Sequence, residues 1–111
     1  MSYKIKWTTI AQKDYYEILT YLKENFGQTV SEKFSLKIEK ELSLISQMPK
    51  MFPLTELIEN LRRAVVVKQV SMYYLEVEVK KEVVIIRLYD NRRNPAEISK
   101  EILEEVESWE K

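Results

Sequence analysis

Cysteine and histidine are both absent from this chain, glycine occurs once, and proline occurs three times. Without cysteine there can be no disulfide, thiolate metal site or thiol nucleophile, which suits a reducing cytoplasm, the expected location. Without histidine the chain lacks the commonest neutral-pH acid–base group and the usual zinc ligand, so no metal and no cofactor are expected. Any catalysis would fall to Tyr, Lys, Arg, Asp or Glu, or to the substrate's own groups. The shortage of glycine and proline argues for regular elements joined by short connections. Long hydrophobic runs are missing too, and the opening MSYKIKWTT has no apolar middle of the signal-peptide kind. No membrane association is therefore expected.

What is present is enough for a core. The 111 residues are 45% hydrophobic and 11% aromatic, which fits one domain spanning 1–111 and excludes wholesale disorder. Net charge is formally zero, from 18 basic and 18 acidic residues, but it is unevenly spread. Residues 97–111 hold six acids against two bases, and residues 61–95 hold eight bases against four acids. A mildly basic body with an acidic tail is not the profile of a strongly basic nucleic-acid binder.

Periodicity divides the chain into elements. Tyr3–Trp7 alternates as a first strand, with Tyr3, Ile5 and Trp7 on one face. Thr9-Ile10-Ala11-Gln12 matches a capping box, and Ala11, Tyr15, Ile18, Leu22 and Phe26 follow as a helical stripe. Gly27 stands where a left-handed helix terminus is wanted. Thr29-Val30-Ser31-Glu32 reads as a second capping box, with Val30, Phe34, Ile38, Leu42 and Ile45 as its stripe until Pro49. Two helices so closely joined predict an antiparallel hairpin. Met48–Pro53 reads as a loop and Leu54–Asn60 as one more helical turn. Strands are predicted at Leu61–Lys68, Val70–Val79 and Val83–Tyr89, with Lys80-Lys81-Glu82 as a solvated turn. Val83-Val84-Ile85-Ile86 is apolar throughout, as in a central strand covered on both faces. Asn94 caps a last helix with Pro95 in its first turn, and Ile98, Ile102, Val106 and Trp109 form its stripe. The fold class is α+β: a small antiparallel sheet with an N-terminal helix hairpin packed on it, in the order β-α-α-β-β-β plus a C-terminal helix.

The last strand delivers Arg87, Tyr89, Asp90, Arg92 and Arg93 to one end of the sheet, suited to an anion or an acidic partner. Arg62 and Arg63 open the second strand with side chains on opposite faces, so at most one can join a given site. Arg87 continues the face of Val83 and Ile85; its bland alternative is an ion pair with Glu76 or Glu78. Tyr15, Tyr16 and Tyr21 read as core and interface packing, and the acidic face of the last helix as solubility.

With Ala11-x-x-Asp14, Ile18 and Tyr21-Leu22, then Phe34–Leu44 into Met48-Pro49, Leu61-Arg62-Arg63, Tyr73-Tyr74 and Arg87-x-x-Asp90-x-Arg92-Arg93-x-Pro95, the chain resembles the RelE/ParE superfamily from about Tyr3 to Pro95. These are toxins of type II toxin–antitoxin systems, often labelled plasmid stabilisation proteins. The resemblance implies a cytoplasmic growth-inhibiting toxin wrapped and neutralised by a cognate antitoxin. RelE-like members cut mRNA in the ribosome with clustered Lys and Arg plus a C-terminal Tyr or His. ParE-like members inhibit DNA gyrase and need no nuclease residues.

Departures from the nuclease pattern favour the ParE-like branch. Ser71 stands where the nucleases carry an arginine, and Asn94-Pro95 with an acidic helix follows Arg92-Arg93 in place of a Tyr or His. The alternatives are a ribosome-dependent mRNA endonuclease and an inactive binding module of the same fold. For the endonuclease, catalytic candidates are Arg87, Arg92, Arg93 and Tyr89 (or Tyr74), and target or RNA contacts would come from Arg62, Arg63, Lys68, Arg87, Arg92 and Arg93. The antitoxin is expected on the exposed hairpin faces, at Tyr16, Lys23, Lys33 and Lys37.

Overall fold

A computed structural model of the chain describes residues 2–110. Strand β1 (Lys4–Trp7) leads into helices α1 (Thr9–Phe26) and α2 (Gln28–Gln47), followed by β2 (Leu61–Val67), β3 (Val70–Val77), β4 (Glu82–Asp90) and α3 (Pro95–Glu110). The sheet order is β1-β4-β3-β2. The α+β reading and the order of elements stand. The antiparallel pattern holds for β2, β3 and β4, while β1 joins β4 in parallel. A parallel neighbour needs a long return path, and here everything from α1 to β3 supplies it.

Helix α1 is capped one residue earlier than the sequence suggests. Thr8, not Thr9, is extended, and its Oγ1 accepts from the Ala11 amide at 3.1 Å. The same hydroxyl donates to the Ile86 carbonyl at 2.9 Å, so one side chain starts a helix and closes a strand edge. The second capping box does not form. Gly27 alone joins the helices, α2 begins at Gln28 with no side-chain cap, and the Ser31 hydroxyl donates to the Leu19 carbonyl. Gly27 has φ 95° and ψ 166°, positive as expected but extended rather than left-handed helical. It ends one helix and caps the next, and only glycine adopts that backbone readily.

Each face of the sheet carries its own core. Ala11, Phe34, Ile38 and Ile45 of the hairpin pack on Ala64, Met72, Tyr74, Val83, Ile85 and Leu88. On the opposite face Ile98, Ile102 and Val106 of α3 cover Leu61, Leu75, Val84, Ile86 and Tyr89. The Val83–Ile86 run is fully buried between them, as its unbroken apolar character requires. Phe26 and Val30, at the far ends of their stripes, lie outside the core and are exposed.

Residues 54–60 do not form a helical turn. Their backbone pairs back onto β2: Leu54 bridges Arg62, and the Thr55 amide donates to the Leu61 carbonyl at 2.8 Å. That leaves no ladder of helical bonds to close. Strand β3 stops at Val77 because a 3₁₀ turn at Glu78–Lys80 and left-handed Lys81 (φ 54°) reverse the chain.

The cap assignment has a direct check. Thr8→Ala loses an N-cap and a buried bond to Ile86, so it should cost about 1–2 kcal/mol in urea unfolding, while Thr9→Ala stays within about 0.5 kcal/mol.

Candidate functional site

The site grows from the place where β1 stops. Its pairing with β4 ends at Trp7 and Ile85, so the edge of β4 beyond that point needs other partners. Thr8 takes the Ile86 carbonyl, and the Asp14 carboxylate accepts the Leu88 amide at 3.1 Å. Between them β4 carries an extra residue: Tyr74 pairs with Ile85 and Tyr73 with Arg87, so Ile86 is bulged out of the register. The bulge breaks alternation. Arg87 therefore does not continue the face of Val83 and Ile85; Leu88 resumes that face and Tyr89 takes the other.

Arg87 is clamped at this edge. Its Nε and Nη2 donate to the two Asp14 oxygens at 2.7 and 3.0 Å, and its Nη1 donates to Glu101 at 3.2 Å. The alternative of an ion pair is the one realised, but with Asp14 of α1 and Glu101 of α3 in place of Glu76 or Glu78. Glu76 faces Arg62 at 3.6 Å and Lys50 at 3.9 Å on another part of the sheet. Burial works against the Arg87 charge, yet the Asp14 bonds outweigh it and hold the guanidinium protonated beyond its ordinary range.

Tyr89 completes the cluster. The Arg87 and Arg93 guanidinium carbons both lie over its ring, 4.7 and 5.2 Å from the centre, and its hydroxyl donates to Glu101 at 3.1 Å. Burial first, then the Glu101 carboxylate, pushes its pKa far above the phenol value, so it cannot accept a proton near neutrality. Tyr74, the other proton-transfer candidate, is buried, donates to the Pro49 carbonyl at 2.8 Å, and is raised by burial to about 12. Arg93 binds Glu101 through Nη1 and Nη2 at 3.2 and 2.8 Å, and this contact, ahead of all others, keeps the Glu101 carboxyl below its usual range. Glu101 thus supports the fold at neutral pH and stops doing so only as pH falls through that depressed value.

The remaining cations do not converge. Arg92 folds back on Asp90 at 2.6 Å and is largely exposed. Arg63 reaches Ser71 at 3.0 Å and Asn91 at 3.4 Å, so the serine at the position of the missing arginine serves as an acceptor. Arg62, on the opposite face, donates to the Phe52 and Lys50 carbonyls at 2.7 and 3.2 Å. Lys68 sits exposed in the β2–β3 turn. Among the described residues no cluster of side chains could hold a metal ion, and no helix is long and apolar enough to cross a membrane.

A groove of about 750 Å³ runs between the hairpin and this end of the sheet. Ile18, Leu22, Phe34, Val70 and Leu88 line it with exposed Tyr21, Phe26 and Val30; Lys33, Lys37 and Arg92 are among its polar lining residues, and Asp14, Tyr89 and Arg93 border it from the cluster. Of the four residues expected to meet the antitoxin, Lys33 and Lys37 line this groove. Tyr16 lies in a shallower depression along α1, and Lys23 borders neither. Asp14, Glu101, Tyr21, Phe26 and Val30 were not singled out as site residues from the sequence. Asp14 carried a signal, since it follows Ala11 by three residues and so shares the sheet-facing side of α1.

The family model described as the ParE toxin of type II toxin-antitoxin system, parDE, matches residues 5–95. The chain belongs to this family. No curated protein matches the chain. Among solved structures, the chromosomal ParDE system from P. aeruginosa is 19% identical at a TM-score of 0.66, covering 80% of this chain and 96% of that one. An arginine-to-alanine double mutant of E. coli toxin RelE, in the free state, is 18% identical at a TM-score of 0.65, covering 97% and 98%. A chain of the RelBE2 toxin–antitoxin complex from Mycobacterium tuberculosis is 17% identical at 0.58, covering 81% and 92%. At such identities these likenesses establish the fold, which ParE and RelE toxins share.

The clamp makes Arg87 a structural residue, so its replacement is not benign. Arg87→Ala strands Asp14 at a half-buried edge and should cost about 3–5 kcal/mol in chemical denaturation. Lys68→Ala, on an exposed turn, should stay within about 0.5 kcal/mol in the same assay.

Proposed function

We propose that this ParE-family toxin acts as a single cytoplasmic domain that arrests growth by binding and inhibiting DNA gyrase, and that a cognate antitoxin neutralises it. The observation that carries this reading is the occupation of the nuclease candidates. Arg87 and Arg93 are hydrogen-bonded to Asp14 and Glu101, and Tyr89 is buried beneath them with its hydroxyl committed. Cleavage of RNA through its own 2′-hydroxyl requires cations aimed at the developing phosphorane charge and a group able to take a proton. In the closed arrangement of β4 and α3, Arg87 and Tyr89 are turned from solvent, and the more exposed Arg92 and Arg93 are paired with Asp90 and Glu101.

The hairpin groove supports the antitoxin half of the proposal. Its apolar, lysine-bearing lining suits an amphipathic segment with acidic residues that orders on binding. Phe26 is 61% exposed, so it contributes to a partner's surface more than to this fold.

Two experiments test the proposal. Expressed alone, the chain should arrest a bacterial host, and the purified protein should inhibit gyrase supercoiling while leaving mRNA intact on translating ribosomes. Cuts at defined codon positions would place it with the endonucleases, and normal growth at verified soluble expression would make it an inactive binding module. In calorimetry with the antitoxin, Phe26→Ala should weaken binding about tenfold, as should Lys33→Glu, each without lowering thermal stability. Tyr16→Ala should leave the affinity unchanged; the reverse pattern would move the antitoxin to the outer face of α1.

A further inference from the structure

Helix α1 has an outer face that the core does not use. Lys13, Tyr16, Glu17, Thr20, Tyr21 and Glu24, set three and four residues apart, line a shallow depression of about 660 Å³ along it. Tyr16 is 64% exposed and Tyr21 is 49% exposed. The Tyr16 ring is nevertheless supported from below. It lies 6.0 Å from Tyr15, which is held by Trp7 at 5.4 Å, by Phe34 at 6.3 Å and by the bond from its hydroxyl to Ser35 at 2.9 Å. A tyrosine fixed against the core yet open to water loses little freedom when a partner covers it, as a binding anchor requires. Charge on this face is acidic. Glu17 pairs with Lys13 at 3.9 Å, and exposed Glu24 has no ion-pair partner among the described residues. The groove instead presents exposed Lys33. An acidic antitoxin segment therefore suits the groove, and a basic protein surface suits the outer face.

We propose that the outer face of α1 docks the toxin's target protein, with Tyr16 as the aromatic anchor and Glu24 meeting a basic side chain of the target, and that the antitoxin neutralises the toxin by taking Tyr21 out of that interface. The site rests on the function proposed above, in which the target is gyrase. Glu17 and Tyr21 line both the groove and the outer depression, so the two surfaces share an edge. The Tyr21 ring is set edge-on to Phe26 with centres 6.2 Å apart, and an antitoxin that covers Phe26 covers its neighbour as well. One tyrosine cannot be buried by two partners at once. Groove and outer face are therefore occupied in turn, not together, which is how a segment seated beside the docking face can block it.

The test compares the full chain with its Tyr16→Ala and Glu24→Lys variants in gyrase supercoiling, antitoxin calorimetry and thermal unfolding. Each variant should need at least about tenfold more protein for half inhibition of gyrase, with antitoxin affinity and melting temperature at the parental level. Immobilised gyrase should retain the parent toxin, and added antitoxin should release it. Undiminished inhibition by either variant, or a stable ternary complex of gyrase, toxin and antitoxin, would overturn the site. A parent that leaves gyrase untouched refutes the choice of target alone, and growth arrest at verified soluble expression then decides. Arrest lost in both variants supports docking through α1 on another target, and arrest kept in either overturns it. A parent that neither inhibits gyrase nor arrests growth overturns both the function and the site.

Discussion

Arg87 stands where three elements would otherwise come apart. Asp14 pulls α1 onto the open edge of β4, Glu101 pulls α3 onto the same edge from the other side, and one guanidinium satisfies both. Strand β1 is too short to cover this part of β4, so the edge amide of Leu88 and the carbonyl of Ile86 depend on Asp14 and Thr8. The bulge at Ile86 turns Arg87 out of the core face and towards both carboxylates. An ion pair this buried adds little when compared with a well-packed apolar alternative, but removing half of it is costly. Its role is therefore to fix geometry: it sets where the hairpin and α3 sit relative to the sheet.

That geometry separates charge from apolar surface. At the end of β4 the cations are met by the chain's own carboxylates, which leaves little positive field for RNA despite the local excess of arginine. The hairpin side differs, with Tyr21, Phe26 and Val30 exposed along a groove where Lys33 is exposed and Lys37 pairs with Glu41 at 3.4 Å. Protein partners are recognised by exposed aromatic anchors set beside complementary charge, and the groove offers both.

Much of the fold was legible because its signals are local. The stripes of α1, α2 and α3 and the unbroken Val83–Ile86 run follow from periodicity and burial alone, and the Asn94 cap is realised, with its side chain accepting from the Ala96 amide at 2.8 Å. What was not legible depends on distant partners. Thr8 outcompetes Thr9 as the cap because its hydroxyl also meets Ile86, far along the chain. The Thr29 box loses to a single-residue connection at Gly27, and residues 54–60 prefer pairing with β2 to a helical turn. Arg87 stands out in the sequence as a cation near a strand end, but its partners lie on α1 and α3, and a one-residue bulge changes the face it serves. Alternation counted from Val83 cannot reveal a bulge.

The central claim is that Asp14 and Arg87 act as one unit joining helix to strand. A double-mutant cycle with Asp14→Ala, Arg87→Ala and the double variant, read by denaturant unfolding, measures this directly. The account predicts that the double variant is hardly less stable than either single variant, so that the coupling energy approaches the single-variant loss of about 3–5 kcal/mol. Additive losses, with coupling near zero, would contradict it.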